Sequence, residues 1–466
     1  MMYKWGIKVK KIEYVNVIGA GLAGCECAWI LAQNNIKVKL YEMKPNKKSE
    51  AHISDNFAEL VCSNSLKSES LTNACGLLKK EMQILDSLFV EAAYSSRVEA
   101  GQALAVDRVK FSEYITNKIK ENKNIEIIYE EVENVESLEG ITVIATGPLT
   151  STPLFESIGR LIGEKELYFY DAEAPIIEAD SIDMNIAYRM DRYGEVGKGD
   201  YLNLPMTKEE YLDFYNELLN AETAPRHDFD KLILFEGCMP VEEMAKRGEK
   251  TLVFGPLKPV GLENPKVNEK PYAVVQLRSE NKDNTMYNMV GFQTSLKFGE
   301  QKRIFSMIPG LQNAVFERYG VMHKNRYINS SKILDNKFCM KGKNNIYFAG
   351  QISGVEGYVE SAASGLMVAY NIISRKNNQN IEFPDTTMLG SLAKYISTEN
   401  KNFQPMNANF GIIKPLEKKI KDKKEKYSIL SEIAIRDISN LKNKLSRWVC
   451  WKVIIYIFFM VKKSMT

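Results

Sequence analysis

Residues 15–24 read Val15-Asn16-Val17-Ile18-Gly19-Ala20-Gly21-Leu22-Ala23-Gly24 and lie almost at the start of the chain. A short β-rich run ends at Ile18, and Gly19, Gly21 and Gly24 then open an apolar helical stretch. This is the dinucleotide fingerprint in its structural context. Gly19 permits a tight turn, Gly21 lets backbone approach a pyrophosphate, and Gly24 lets the helix lie close on the strand. The start of that helix offers free N–H groups to phosphates. A second strand, residues 36–41, ends at Glu42, an acid placed to accept hydrogen bonds from a ribose. Its spacing from Gly19 is close to the ~20 residues the fingerprint requires. Gly19, Ala20, Gly21, Leu22, Ala23, Gly24 and Glu42 are therefore candidate cofactor residues. The plainer alternative is a tight strand–helix turn without a ligand.

Outward from this unit, 466 residues suffice for two or three domains of ~100–200 residues each. Hydrophobic residues make up 45% and charged residues 26%, ordinary values for a globular protein. A net charge of +3 means that nucleic-acid binding must come from a local patch. Seven cysteines, an odd number in a long chain, do not form a small disulfide scaffold and fit a reducing cytoplasm. Cys25 and Cys27 fall inside the first helix and read as packed core thiols. Three widely separated histidines, His52, His227 and His323, argue against a zinc site or a histidine-based triad, so no metal is expected. The first eighteen residues hold no secretory signal core. Residues 448–461 are apolar but broken by Lys452 and shorter than the ~20 residues a membrane span needs. They read as a docked terminal helix or an atypical tail in preference to an anchor.

The organisation predicted is a basic leader (1–13), a first cofactor-domain segment (14–150), an insertion (151–325), a second cofactor-domain segment (326–445) and the apolar tail (446–466). Within the first segment, residues 76–93 have helical apolar spacing and 111–120 read as a helix. Residues 125–129 and 141–145 read as strands, the latter leading into Ala145-Thr146-Gly147. The insertion mixes short strands, Pro and Gly turns and one clear helix at 208–219, an α+β pattern. Residues 345–349 then form a strand leading into Gly350-Gln351-Ile352-Ser353-Gly354, and a small-residue helix follows at 361–370. Strand, glycine turn and helix again make a nucleotide-facing junction, which adds Gly350, Gln351 and Gly354 to the cofactor candidates. The fold class predicted is α/β: a discontinuous Rossmann-like cofactor domain with an inserted α+β domain. Residues 414–426 carry seven lysines and three acids and read as a solvated helix face.

Two cysteines stand in positions suited to reaction. Cys62 lies in the polar loop Glu59-Leu60-Val61-Cys62-Ser63-Asn64-Ser65, and Cys238 follows an apolar run between Gly237 and Met239-Pro240. Reactivity further requires a depressed thiol pKa or a basic neighbour, and a structural thiol is the alternative at each. Two segments interleave basic and aromatic residues, as phosphate contact with base stacking demands, and a rigid loop carries a further lysine. They present Lys258 in residues 255–262, Lys297 and Arg303 in 291–303, and His323, Lys324 and Arg326 in 319–327. Ordinary surface charge explains each segment equally well.

Taken together these stretches resemble the folate-dependent, flavin-containing tRNA (uracil-5-)-methyltransferase family, TrmFO. The resembling blocks are V-I-G-A-G-L-A-G, F-A-E-L-V-C-S-N-S-L, S-L-T-N-A-C-G-L-L-K, A-L-A-V-D-R, F-E-G-C-M-P-V-E, F-G-P-L-K-P-V-G-L, G-F-Q-T, R-Y-G-V-M-H, Y-F-A-G-Q-I-S-G-V-E-G-Y-V-E-S-A-A-S-G and F-Q-P-M-N-A-N-F-G, in that order along the chain. The resemblance implies FAD at the glycine turn. It also implies 5,10-methylenetetrahydrofolate as carbon donor, NADPH or NADH as electron source, and ribothymidine at uridine 54 of the tRNA T-loop as product. It places the family's two functional cysteines on Cys62 and Cys238. A thiolate adding to carbon 6 of uracil makes carbon 5 nucleophilic, and that attack falls to Cys238, with Cys62 protecting, relaying or removing a proton. The partner implied is the T-arm of tRNA, with no DNA, no obligate protein partner and no membrane. Gln102 and Glu99 depart from the family pattern, and a side chain at 102 is expected to crowd the folate or flavin site. The alternatives are the related flavoprotein subunit that modifies wobble uridines and a flavin oxidoreductase of small molecules.

Overall fold

The computed structural model describes residues 14–163, 167–195, 197–224, 239–263, 270–401 and 403–463, apart from the side chains at 167, 169 and beyond 445. Five strands form one parallel sheet in the order Ile346–Phe348, Ile141–Ile144, Tyr14–Ile18, Lys37–Tyr41, Ile125–Ile128. The inner strands are nearly continuous apolar runs because helices cover both faces. The strand Ile346–Phe348 pairs with Ile141–Ile144 across some two hundred residues of sequence, so one sheet is built from two distant segments.

The first helix, Leu22–Gln33, lies against the sheet and is crossed by a longer helix, Tyr358–Lys376. Glycine permits both approaches. A Cβ on Gly24 would stand 1.8 Å from the Gly19 carbonyl oxygen, and one on Gly365 would stand 2.1 Å from that of Ala23. The crossing helix is buried from Val359 to Ser374. Its sequence is accordingly small and apolar on most sides, as a sandwiched helix requires.

The inserted unit carries a six-stranded antiparallel sheet, in the order Tyr188–Arg189, Tyr201–Met206, Ala273–Ser279, Met286–Met289, Ile176–Glu178, Phe316–Arg318. Its separate core includes Tyr211, Phe214, Phe292 and Phe305. The helix Lys208–Leu219 has the predicted bounds, and its start is set by a capping box between Thr207 and Glu210. The two connections to the cofactor domain run side by side as an antiparallel ribbon, Leu167–Ala172 with Met322–Tyr327. Leu154, Phe155 and Ile158, on the helix Thr152–Ile162, belong to the first core, so the insertion begins after that helix and not at 151.

Other readings also change. The helix predicted over 76–93 is two helices, Ala74–Ile84 and Leu88–Ser95. Asp86 adopts a left-handed conformation (φ 60°), and the Ser87 side chain caps the second helix by accepting from the Val90 N–H. The charge run 414–426 is helical only from Lys423, where the helix Lys423–Lys463 begins. That helix docks through Leu430, Ala434, Ile438 and Leu441 and bonds Ser431 to the Leu71 carbonyl. Among the described residues no helix is long and apolar enough to cross a membrane.

The crossing of the two helices yields a direct test. We expect Gly365→Ala to lower stability by about 1–3 kcal/mol through overpacking. Gly159→Ala, on a helix where the added Cβ meets nothing within 4 Å, should leave stability unchanged or raised by up to about 1 kcal/mol. Urea denaturation of the two variants checks the opposite signs.

Candidate functional site

The glycine turn is held by backbone. The Gly19 N–H donates to the Tyr41 carbonyl at 2.8 Å, and Gly19 sits at φ +97°, where a Cβ would strike the Ala145 carbonyl. Glu42 is buried and its carboxylate accepts from the Ala20 and Lys44 N–H groups, both at 2.9 Å. The acid read from sequence as a ribose ligand therefore also staples the turn, with lone pairs to spare. The first helix starts at Gly21 without a side-chain cap, leaving first-turn N–H groups available to an anion. A Cβ on Gly21 would meet no atom within 4 Å, so this glycine faces open space where Gly24 faces backbone.

That space is a cavity at the carboxyl ends of the strands. Gly19, Ala20, Gly21, Leu22, Ala23, Glu42, Gly350 and Gln351 all line it. Tyr358 and Ser361, from the start of the crossing helix, close its far side, and that helix start is likewise uncapped. Two helix N-termini thus converge on one cavity, a setting for a ligand with negative charge. Gly350 donates its N–H to Ser364 Oγ at 2.6 Å, and Gln351 donates Nε2 to Glu356. Gly354 does not line the cavity. Its left-handed turn (φ +81°) packs against the Phe403 ring.

Cys62 stands beside this cavity at the junction with the insertion. Its Sγ lies 3.0 Å from the Tyr358 hydroxyl, which also accepts the Cys62 N–H at 2.7 Å. Burial, then the Asp171 carboxylate, pushes the Cys62 thiol up to about 12, against the lowering influence of Tyr358 and Arg108. The resting group is a neutral thiol. Its loop is clamped on both sides. Arg108 donates to the Leu60 and Val61 carbonyls at 3.1 and 3.2 Å and pairs with the buried Glu280 at 2.7 Å. Arg278 donates to Asn64 Oδ1 and Ser63 Oγ, and Asn64 donates to the Ser279 carbonyl. Cys238 and His227 lie outside the described residues. Cys25 and Cys27 are buried with thiols held far above their ordinary range by desolvation, as packed core groups should be.

A cleft of about 810 Å³ opens between the two units, and residues 148–151 line both it and the first cavity. Lys297, Lys324 and Arg326 meet there, joined by Lys47, Lys48 and Phe298, which the sequence reading missed. Lys324 lies over the Tyr168 ring, and Arg326 donates to the Thr150 carbonyl. The other three basic candidates are elsewhere. His323 is buried, with Nε2 2.9 Å from Glu173, which also holds Arg318. Arg303 is tied to Glu300 and Glu217 on an exposed helix face. Lys258 is half-buried in a loop whose carbonyls bind Arg192. Gln102 is exposed and lines neither cavity. Among the described residues no group of His, Cys, Asp and Glu is placed to hold a metal. Tyr358 and Arg108 went unrecognised as site residues, although both stand in blocks quoted above.

The profile of the family described as "Glucose inhibited division protein A" matches residues 14–380. A protein of Acetivibrio thermocellus named methylenetetrahydrofolate–tRNA-(uracil-5-)-methyltransferase TrmFO is 56% identical over 94% of this chain and 100% of its own length. A protein of Fusobacterium nucleatum with the same name is 58% identical over 91% of this chain and 98% of its own. The crystal structure of Aquifex aeolicus GidA superposes with a TM-score of 0.65 at 16% identity, covering 93% of this chain and 79% of that one. It shares the fold.

The clamp on the Cys62 loop can be weighed. Arg108→Met leaves Glu280 buried without its cation, and we expect a loss of about 3–5 kcal/mol. The double variant Arg108→Met/Glu280→Leu should recover most of it. Thermal unfolding of the two variants and the parent checks this.

Proposed function

This chain belongs to the TrmFO methyltransferases of the glucose-inhibited division protein A family, and from that footing we propose that it methylates carbon 5 of a uridine in tRNA. The finer reading is the T-loop uridine at position 54, methylated in the cytoplasm with 5,10-methylenetetrahydrofolate as carbon donor. FAD, reduced by NADPH or NADH, supplies the hydride that completes the methyl group. The observation that carries the reading is the adjacency of the dinucleotide cavity and the basic cleft, which share the wall at 148–151. A polyanion gripped in the cleft can present one base toward the cofactor end of the cavity.

The residues present suit FAD. Open space at Gly21 and the uncapped start of the first helix fit a pyrophosphate, and Glu42 retains acceptor capacity for a ribose. Gly350, Gln351 and the start of the crossing helix hold the opposite wall. Lys47, Lys48, Lys297, Lys324 and Arg326 suit tRNA phosphates, and Phe298 offers a stacking face. Cys238, assigned from its sequence block, adds to carbon 6 of the uracil. That addition places the electron pair on carbon 5, which then takes the one-carbon unit. Loss of the carbon-5 proton releases the carrier nitrogen from the one-carbon unit and leaves a methylene on carbon 5, and hydride addition to that methylene restores the 5,6 double bond and expels the thiolate. Cys62, protonated at rest, touches the cavity wall through Tyr358.

The test incubates purified protein with FAD, NADPH, unmodified tRNA and methylenetetrahydrofolate labelled at the one-carbon unit. Label should appear in ribothymidine, and Cys238→Ala should retain FAD yet transfer nothing. A flavin-loaded wild-type protein that leaves the tRNA unlabelled refutes the reading. In Gly21→Ala the new methyl enters the cradle without touching protein. We expect stability within about 0.5 kcal/mol of the parent but FAD binding weakened about tenfold or more, measured by flavin titration and urea denaturation side by side.

A further inference from the structure

Tyr358 lines the dinucleotide cavity at the first turn of the crossing helix, and its hydroxyl turns toward the Cys62 loop. That oxygen receives the Cys62 N–H at 2.7 Å and the Ser63 N–H at 3.3 Å, and lies 3.0 Å from Cys62 Sγ. A phenolic hydroxyl has one proton to give and room for two donors. With both acceptor positions filled by backbone, its proton has the sulfur as its destination. The polarity of this contact is thus fixed by the two amides.

We propose that Tyr358 is a positioning residue for Cys62: its O–H fixes the side chain of Cys62 and stabilises that sulfur as a thiolate once the thiol proton leaves. The proposal rests on Cys62 taking part in the methyl transfer. The surroundings make such a donor necessary. Asp171 and Glu173, from the ribbon strand and the residue just past it, both oppose negative charge on the sulfur. Arg108 favours it, but its guanidinium is committed to Glu280 and to the Leu60 and Val61 carbonyls. Among the described residues, Tyr358 is the hydrogen-bond donor recorded for this sulfur. Burial and the neighbouring thiol hold the Tyr358 phenol well above its ordinary range, so it keeps its proton where a thiol reacts.

The test uses full-length, FAD-loaded protein in which Cys238→Ala removes the other candidate nucleophile. Iodoacetamide alkylation of Cys62 is followed by mass spectrometry from about pH 7 to 10. One charge-assisted hydrogen bond corresponds to about one pKa unit or more. Tyr358→Phe, which keeps the ring, should therefore slow alkylation about tenfold at each pH and move the rate profile about one unit toward alkali. An equal or faster rate overturns the proposal. Faster reaction would mean that the hydroxyl serves only to close the loop, since losing it also frees the Cys62 and Ser63 amides. With Cys238 intact, Tyr358→Phe should lower kcat at neutral pH, recover as pH rises, and keep the KM for tRNA. A kcat deficit independent of pH also overturns it. If wild-type protein fails to methylate tRNA at all, the functional reading falls, while the alkylation profile still decides the role of Tyr358.

Discussion

The contact on which this molecule depends is backbone against backbone. Gly24 carries no side chain where the first helix meets the Gly19 carbonyl, and Gly365 carries none where the crossing helix meets the carbonyl of Ala23. Ordinary residues at these two points would push three elements apart by several tenths of an ångström or more. With glycine there, the segment from Ile346 to Lys376 returns to the glycine turn formed by the opposite end of the chain. The discontinuity of the cofactor domain and the convergence of two uncapped helix starts on one cavity both follow from that approach.

The second constraint is polar. The Cys62 loop is held between the cofactor domain and the inserted sheet by Arg108–Glu280 and by the hydrogen bonds among Ser63, Asn64, Arg278 and Ser279. Apolar packing would permit sliding, whereas a buried guanidinium engaged by a carboxylate and two carbonyls has a single satisfied geometry. Stability alone does not explain such a buried ion pair, because desolvation offsets much of its attraction. Here it fixes the Cys62 loop relative to two separate cores.

How much of this was legible in the sequence depended on whether the signal was local. The unit from Tyr14 to Glu42 was readable because strand, glycine turn, helix and acid follow one another within one turn of the fold. Lys208–Leu219 was readable because its cap and its apolar spacing sit together. The basic residues were readable by type but not by direction. Residues 322–327 form a strand, so Lys324 and Arg326 share the face toward the cleft while His323 and Asn325 take the other. By type alone His323, Lys324 and Arg326 read alike as candidates for phosphate contact, and only the alternation of the strand sends His323 to Glu173. Arg303 and Lys258 missed the cleft for tertiary reasons, since pairing with Glu217 or support of Arg192 involves residues far away in sequence. Tyr358 was hidden similarly: its partners, Cys62 and Ser63, lie almost three hundred positions earlier.

The ribbon explains how one narrow element serves two chemistries. One face, with Tyr170, Lys324 and Arg326, lines the basic cleft. On the other, His323 and Asn325 lie in register with Asp171 and Phe169, and Asp171 acts on the Cys62 sulfur. Period-two alternation therefore puts cations and carboxylates back to back, a few ångströms apart but on opposite sides of a two-stranded sheet. A phosphate drawn to the first face does not meet the acids of the second. Burial, and after it the acids of the second face, keeps the Cys62 thiol protonated. The same two strands that join the domains thus separate attraction of a polyanion from control of a thiol proton, and neither could be moved by one residue without exchanging the faces.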